Sequence, residues 1–152
     1  SSKRALKEIR EYEVFGFDTE TKPAFKKGVE NGIALVQISN HQVAWLFRTN
    51  KIGISQDLIT LFEDESILKI GAGLNDDMLR LGKISTFKAQ GFLDLQKYVD
   101  IVLGYKISKS QQMSNWEADE LTDPQKIYAA TDAWVCLEIY QKLRYSLRNL
   151  NV

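Results

Sequence analysis

The sequence predicts an α/β domain with a mixed sheet whose first three strands are antiparallel, flanked by helices. Two observations carry this. The elements read in the order β-β-β-α-β-α-β-α-α, and the turn Asn40-His41 joins the second and third strands so tightly that they must form a hairpin.

Taken in order, residues 3–12 place Leu6 and Ile9 three apart among charges, a short helix or a polar lead-in. Strand 1 follows at 13–19. Residues 21–31 carry Pro23, Gly28 and Asn31-Gly32, all turn chemistry, with Lys22, Lys26 and Lys27 close behind an acidic pair. Ile33 to Ser39 is β-branched and apolar, a second strand, and Gln42 to Phe47 is the third. Arg48 to Gly53 reads as a loop. Ser55 then caps a helix through Phe62, and Ile67 to Gly71 fits a short buried strand. Asn75 or Asp76 caps the next helix, which stops at Gly82. Phe92-Leu93 forms another short strand, and Asp94 starts a helix from Leu95 to Ile101. Thr122-Asp123-Pro124 opens the last helix, with proline inside its first turn, and that helix runs to about Leu147.

At 152 residues, 44% hydrophobic and 26% charged, the chain reads as one domain over 1–152 with enough material for a core. Its twenty basic and twenty acidic side chains cancel, so only a local patch could speak for nucleic acid. The single cysteine, Cys136, excludes an internal disulfide and suits a reducing compartment. No apolar run approaches the ~20 residues that span a bilayer, and no secretion signal opens the chain. These features set the expectation of a cytoplasmic protein, away from membranes.

The chemistry lies in carboxylates. In Phe17-Asp18-Thr19-Glu20 two acids are separated by one residue, which on a strand puts both on one side at its C-terminal edge. Like charges held that close are commonly relieved by a cation. Gly71-Ala72-Gly73-Leu74-Asn75-Asp76-Asp77 leaves a strand through small residues and delivers an aspartate into a helix. Tyr128 and Asp132, four apart, share a helical face among alanines. Each pattern alone also has a plainer reading, as an acidic turn, a helix start favoured by the macrodipole or a Tyr–Asp core pair. Together they offer four carboxylates, more than one divalent ion needs.

Those three segments, in that order, resemble the exonuclease motifs of the DEDD superfamily in its tyrosine-containing branch. The chain is most similar to the exonuclease domain of the Werner-syndrome helicase and its stand-alone bacterial relatives, with ribonuclease D a near cousin. The resemblance implies a ribonuclease-H-like fold and a 3′-5′ exonuclease that releases nucleoside 5′-monophosphates. It implies two magnesium or manganese ions held by Asp18, Glu20, Asp77 and Asp132. Asp77, six residues after Gly71, matches the motif where Asp76 does not. Asp18 would bridge the ions, Glu20 and Asp132 would hold the one nearer the attacking water, Asp77 the other, and Tyr128 would orient that water.

Ile33, Ala34, Leu35, Leu74 and Asn75 match positions that contact the terminal nucleotide in related enzymes. Phe25, Trp116, Lys22, Lys26, Lys27, Lys106 and Lys109 are candidates for the groove beyond. The expected partner is nucleic acid with a free 3′ end, DNA rather than RNA because no helical accessory domain is seen, with an attached or partner helicase. A ribonuclease D-like exoribonuclease and a non-catalytic binding module are the alternatives. His41 reads as an exposed turn residue and Cys136 as a buried small hydrophobe. Relatives carry more chain between Asp94 and Ser108, so a segment omitted near 99–101 is expected.

Overall fold

The computed structural model describes residues 2–96 and 110–150. Their elements are α1 (Ser2–Ile9), β1 (Val14–Thr21), β2 (Ile33–Ser39), β3 (Ala44–Phe47), α2 (Thr49–Ile52), α3 (Gln56–Glu63), β4 (Leu68–Gly71), α4 (Leu74–Ile84), β5 (Phe92–Asp94) and α5 (Asp123–Leu150). The join near 99–101, the end of the helix expected after Asp94, Lys106 and Lys109 lie outside the described residues.

The strands form one sheet in the order β3-β2-β1-β4-β5. β1, β2 and β3 pair antiparallel, whereas β4 joins β1 and β5 joins β4 in parallel, the ribonuclease-H-like arrangement. β1 is therefore central, with partners on both sides, and both its faces are covered. Phe15 and Phe17 face a core built with Leu6 and Ile9 of α1, Leu58 and Phe62 of α3 and Leu81 of α4. By alternation Gly16, Asp18 and Glu20 face the other way, toward α5. A Cβ built on Gly16 would lie 1.8 Å from the Ala133 carbonyl oxygen, so the bare backbone of β1 is what lets α5 sit this close.

Two elements differ from expectation here, α2 and α4. Residues 48–53 contain a one-turn helix, α2, anchored through tertiary contacts: Thr49 Oγ1 donates to the Ile33 carbonyl (2.9 Å) and Arg48 donates to the Ala118 carbonyl. α4 begins at Leu74 with Gly73 as its N-cap, in place of Asn75 or Asp76, and it passes through Gly82 to Ile84. A Cβ on Gly82 would meet nothing within 4 Å, so that glycine sits on an open surface and interrupts no packing. Elsewhere the expected caps hold. Ser55 Oγ accepts from Leu58 N (3.3 Å), and Thr122 and Gln125 form a reciprocal capping pair at the start of α5 (3.3 and 3.0 Å).

One buried charge has no sequence signal. Lys69 is fully buried, its Nζ donating to the carbonyls of Leu61 (3.0 Å) and Asp64 (2.7 Å) at the end of α3 and lying 5.0 Å from the Phe92 ring centroid. It supplies donors to carbonyls that the helix end leaves without partners. Burial pulls its pKa down to about 8, partly offset by Asp64. Lys69→Met should lower stability by about 2–3 kcal/mol, because the carbonyls lose their donor while the volume is kept. Urea unfolding with an unchanged slope and a lower midpoint is the expected result.

Candidate active site

Asp18, Glu20 and Asp132 come together. Asp18 and Glu20 alternate onto one face of β1, and α5 crosses that face with Asp132 beside the Gly16–Ala133 approach. One carboxylate oxygen from each lies within 4.8 Å of the other two, with Glu20 buried and the other two half-buried. Strand 1 runs to Thr21, past the expected 19, so both acids are fixed by ladder pairing to Gln37 and Leu35, with no flexible turn between them.

Their electrostatics record the crowding. Burial, then the charges of Glu20, Asp77 and Asp132, hold Asp18 well above the usual carboxylate range. Burial and the charges of Asp132 and Asp77 push Glu20 up to about 8. Burial raises Asp132 to about 6, with the neighbouring Tyr128 hydroxyl offsetting part of it. Tyr128, half-buried, is raised above the ordinary phenol value by burial and by the charges of Asp132, Glu20 and Asp18. A phenol so shifted keeps its proton at neutral pH. Trp116, 0% exposed, packs on it with ring centroids 6.1 Å apart.

Asp77 reaches the site from the opposite face of the sheet. Thr19 alternates away from Asp18 and Glu20 and donates from Oγ1 to Asp77 Oδ1 (2.5 Å). The helix bearing Asp77 is itself pinned from afar. Asp94 Oδ1 accepts from Gly73 N (3.0 Å) and its Oδ2 from Leu74 N (2.9 Å), capping α4 in trans, while Gly73 takes the left-handed φ of 72°. Burial raises Asp77 to about 6, opposed by the Thr19 hydrogen bond. Asp77 is outside the group of three that share a 4.8 Å circle, so the described residues bring together ligands for one ion. Thr19→Val should cut turnover roughly tenfold, with Thr19→Ser restoring it. Metal-dependent rates at several Mn²⁺ concentrations will show the loss.

The donor set fits a hard divalent cation. Three carboxylate oxygens converge, burial raises the pKa of each, mutual repulsion raises Asp18 and Glu20 further, and no sulfur or imidazole joins the group among the described residues. Directly across the ladder from Asp18, Gln37 is fully buried, and its side chain lies close enough to Glu20 to lower that carboxyl's pKa, so it is a polar group at the edge of the acid cluster.

Next to the acids an open cavity of about 410 Å³ is lined by Glu20, Lys22, Pro23, Asp77, Arg80 and Met113, among others. Most residues expected to touch substrate are buried. Ile33, Ala34, Leu35 and Leu74 are at most 4% exposed, in the core. Trp116 is buried behind Tyr128, so the expectation of an exposed stacking ring is corrected. Asn75 is exposed on α4, in a groove with Met78, Leu79 and Phe87 that shares no lining residue with the cavity beside the acids. His41 Nδ1 lies 2.7 Å from Glu138 Oε1, which ties the hairpin turn to α5, and Cys136 is buried as expected. Thr19, Gln37, Arg80 and Asp94 escaped the sequence reading. The spacing between Asp18 and Glu20 could have flagged Thr19, but the other three depend on distant partners.

A family model described as 3′-5′ exonuclease matches residues 1–105 and 81–148. The chain belongs to the 3′-5′ exonuclease family. Among sequence relatives of this exonuclease domain, the bifunctional 3′-5′ exonuclease/ATP-dependent helicase WRN of Mus musculus is 34% identical over 151 residues, covering 86% of this chain and 11% of that protein. The chain thus spans a small part of that relative's length. Among solved structures, the Nibbler EXO domain of Aedes aegypti superposes with a TM-score of 0.79 at 24% identity, covering 99% of this chain and 86% of that one. Escherichia coli RNase D, described as an exoribonuclease involved in structured RNA processing, superposes at 0.76 with 22% identity, covering 93% of this chain and 41% of that one. The chain is a DEDD-like exonuclease domain with a candidate metal-binding cluster.

Proposed function

We propose that this domain is a metal-dependent exonuclease that removes nucleoside 5′-monophosphates from the 3′ end of nucleic acid, with RNA as the leading substrate. The observation that carries it is the convergence of Asp18, Glu20 and Asp132 on one face of β1 in a chain of this family. RNA is favoured by the likeness to RNase D, against the DNA expected from the sequence. DNA stands as the second reading, supported by the 34% identity to a protein that also carries a helicase.

Asp18, Glu20 and Asp132 would hold one Mg²⁺ or Mn²⁺, and Asp77 with Asp18 a second, for which the Thr19 hydrogen bond leaves Asp77 one oxygen free. When bound, such ions supply a water of lowered pKa and neutralise charge building on the phosphoryl oxygens. The chain's own residues do the positioning. Tyr128, protonated and braced by Trp116, would orient the attacking water rather than take its proton. Ile33, Ala34, Leu35 and Leu74 act from behind as a packed wall, and Asn75 offers an exposed amide to the substrate. Lys109 is retained as a proposed phosphate contact. A partner or attached helicase is a further proposal.

The test uses 5′-labelled single-stranded RNA, single-stranded DNA and a recessed DNA duplex, with Mg²⁺, Mn²⁺ or chelator. Cation-dependent 3′ shortening, with mononucleotides as product and RNA fastest, is expected. Faster DNA turnover would favour the second reading, and no shortening of any substrate would leave a binding module.

A further inference from the structure

We propose that the turn Lys26–Val29 on the β1–β2 connection, with Phe25 just ahead of it, grips single-stranded substrate upstream of the 3′ end being cleaved, which rests on the exonuclease reading above. The turn is closed by Val29 N donating to the Lys26 carbonyl (3.2 Å), with Gly28 at φ 81° in the position where such a turn needs a left-handed residue. Phe25 on its shoulder is 82% exposed, and Lys26 and Lys27 are exposed beside it.

The base of the connection is stapled, so the turn is presented from a fixed platform. Asn31 Nδ2 donates to the carbonyls of Lys22 (2.9 Å) and Pro23 (3.2 Å), closing the loop on itself. Arg80 Nη1 of α4 donates to the Asn31 carbonyl (3.2 Å), and Glu30 receives Lys83 at 2.5 Å and Arg80 at 3.8 Å.

Charge distribution identifies the occupant. Of the cations around the cavity that holds Glu20 and Asp77, Lys22 is paired with Glu117 (3.4 Å) and Arg80 with Glu30. Lys26 and Lys27 stand outside the cavity lining, between its residues Ala24 and Val29, and have no carboxylate partner among the described residues, so they are the uncompensated positive charge at its rim. An exposed ring flanked by two free lysines matches a base to stack on and phosphates to contact. Five residues separate Glu20 from Phe25, a reach of at most ~18 Å, which at ~3.4 Å per stacked nucleotide places the grip within about five nucleotides of the cleaved bond. A duplex buries its base faces, so stacking of this kind selects an unpaired strand.

The test compares wild type, Phe25→Ala and the double variant Lys26→Ala/Lys27→Ala on a single-stranded 12-mer and on a nucleoside 5′-monophosphate nitrophenyl ester, which has no upstream strand. Phe25→Ala should raise the 12-mer KM about tenfold with kcat within twofold, and leave ester hydrolysis unchanged. The double variant should reduce the salt slope of log kcat/KM by about 1.4, near 0.7 per phosphate contact. Wild-type KM and salt slope in both variants, with hydrolysis intact, would overturn the grip. If wild type hydrolyses neither substrate, the catalytic reading fails. Fluorescence anisotropy of the labelled 12-mer in chelator then decides the grip alone, by weakened binding in both variants or by none.

Discussion

Asp18→Asn is expected to lose about a thousandfold or more in turnover while gaining thermal stability in the metal-free state. Both effects have one origin. Asp18 is held well above the usual carboxylate range by burial and by three neighbouring acids, so its charge opposes folding when no cation balances it. A carboxylate whose folded pKa is raised binds its proton more tightly folded than unfolded, so stability falls as pH rises between the two values. The penalty is absent below the ordinary values of 3.8 and 4.5. It grows through about 6, the range of Asp77 and Asp132, and through about 8, the range of Glu20, with Asp18 adding to it in the same direction. A tenfold gain in a carboxylate's proton affinity on folding is worth about 1.4 kcal/mol, and several carboxylates gain more than that, so the metal-free midpoint should drop by on the order of 20 °C from pH 4.5 to 8.5. Asn at 18 should flatten that profile, and Mn²⁺ should raise the wild-type midpoint more at pH 8 than at pH 5. Calorimetry across that range checks both, and a profile that is level or climbs in the wild type contradicts the cluster.

Gly16→Ala should damage the protein more than its single methyl suggests. The added carbon would stand 1.8 Å from the Ala133 oxygen, 2.6 Å from the Ala133 carbonyl carbon and 2.8 Å from Ser39 Oγ. Two of those three atoms are backbone, so α5 itself must retreat. Overpacking of this kind costs about 3 kcal/mol. Because Asp132 precedes Ala133, the retreat also carries a ligand away from Asp18 and Glu20, and a misplacement near 1 Å costs on the order of a hundredfold in rate. Paired measurements of midpoint and kcat should fall together. A variant with normal values for both would mean that α5 does not lie against β1 as described.

The parts of this domain that can be read from the sequence are those whose cause is local. Alternation puts Asp18 and Glu20 on one side, the interval from Tyr128 to Asp132 fixes a helical face, and Ser55 and Thr122 announce their helices. The start of α4 cannot be read this way, because Asn75 and Asp76 look like caps while the actual acceptor, Asp94, is twenty residues further on. Its end does not fall at Gly82, because a glycine on an exposed helix surface costs only about 1 kcal/mol, less than the burial of Leu81 returns. Trp116 shows the limit for side chains. An indole can stack on a base or fill a core, and only the position of Tyr128 tells which. Lys69 and α2 depend wholly on distant carbonyls and escape any local pattern.

Thr19 and Asp77 meet on one side of the sheet, Asp18, Glu20 and Asp132 on the other. The acids are thus contributed by two structural layers separated by the central strand. Shear between those layers would disarm the domain with every acid still present. Inactivating changes should therefore accumulate at chemically silent positions along that seam, where a survey restricted to charged residues would never look.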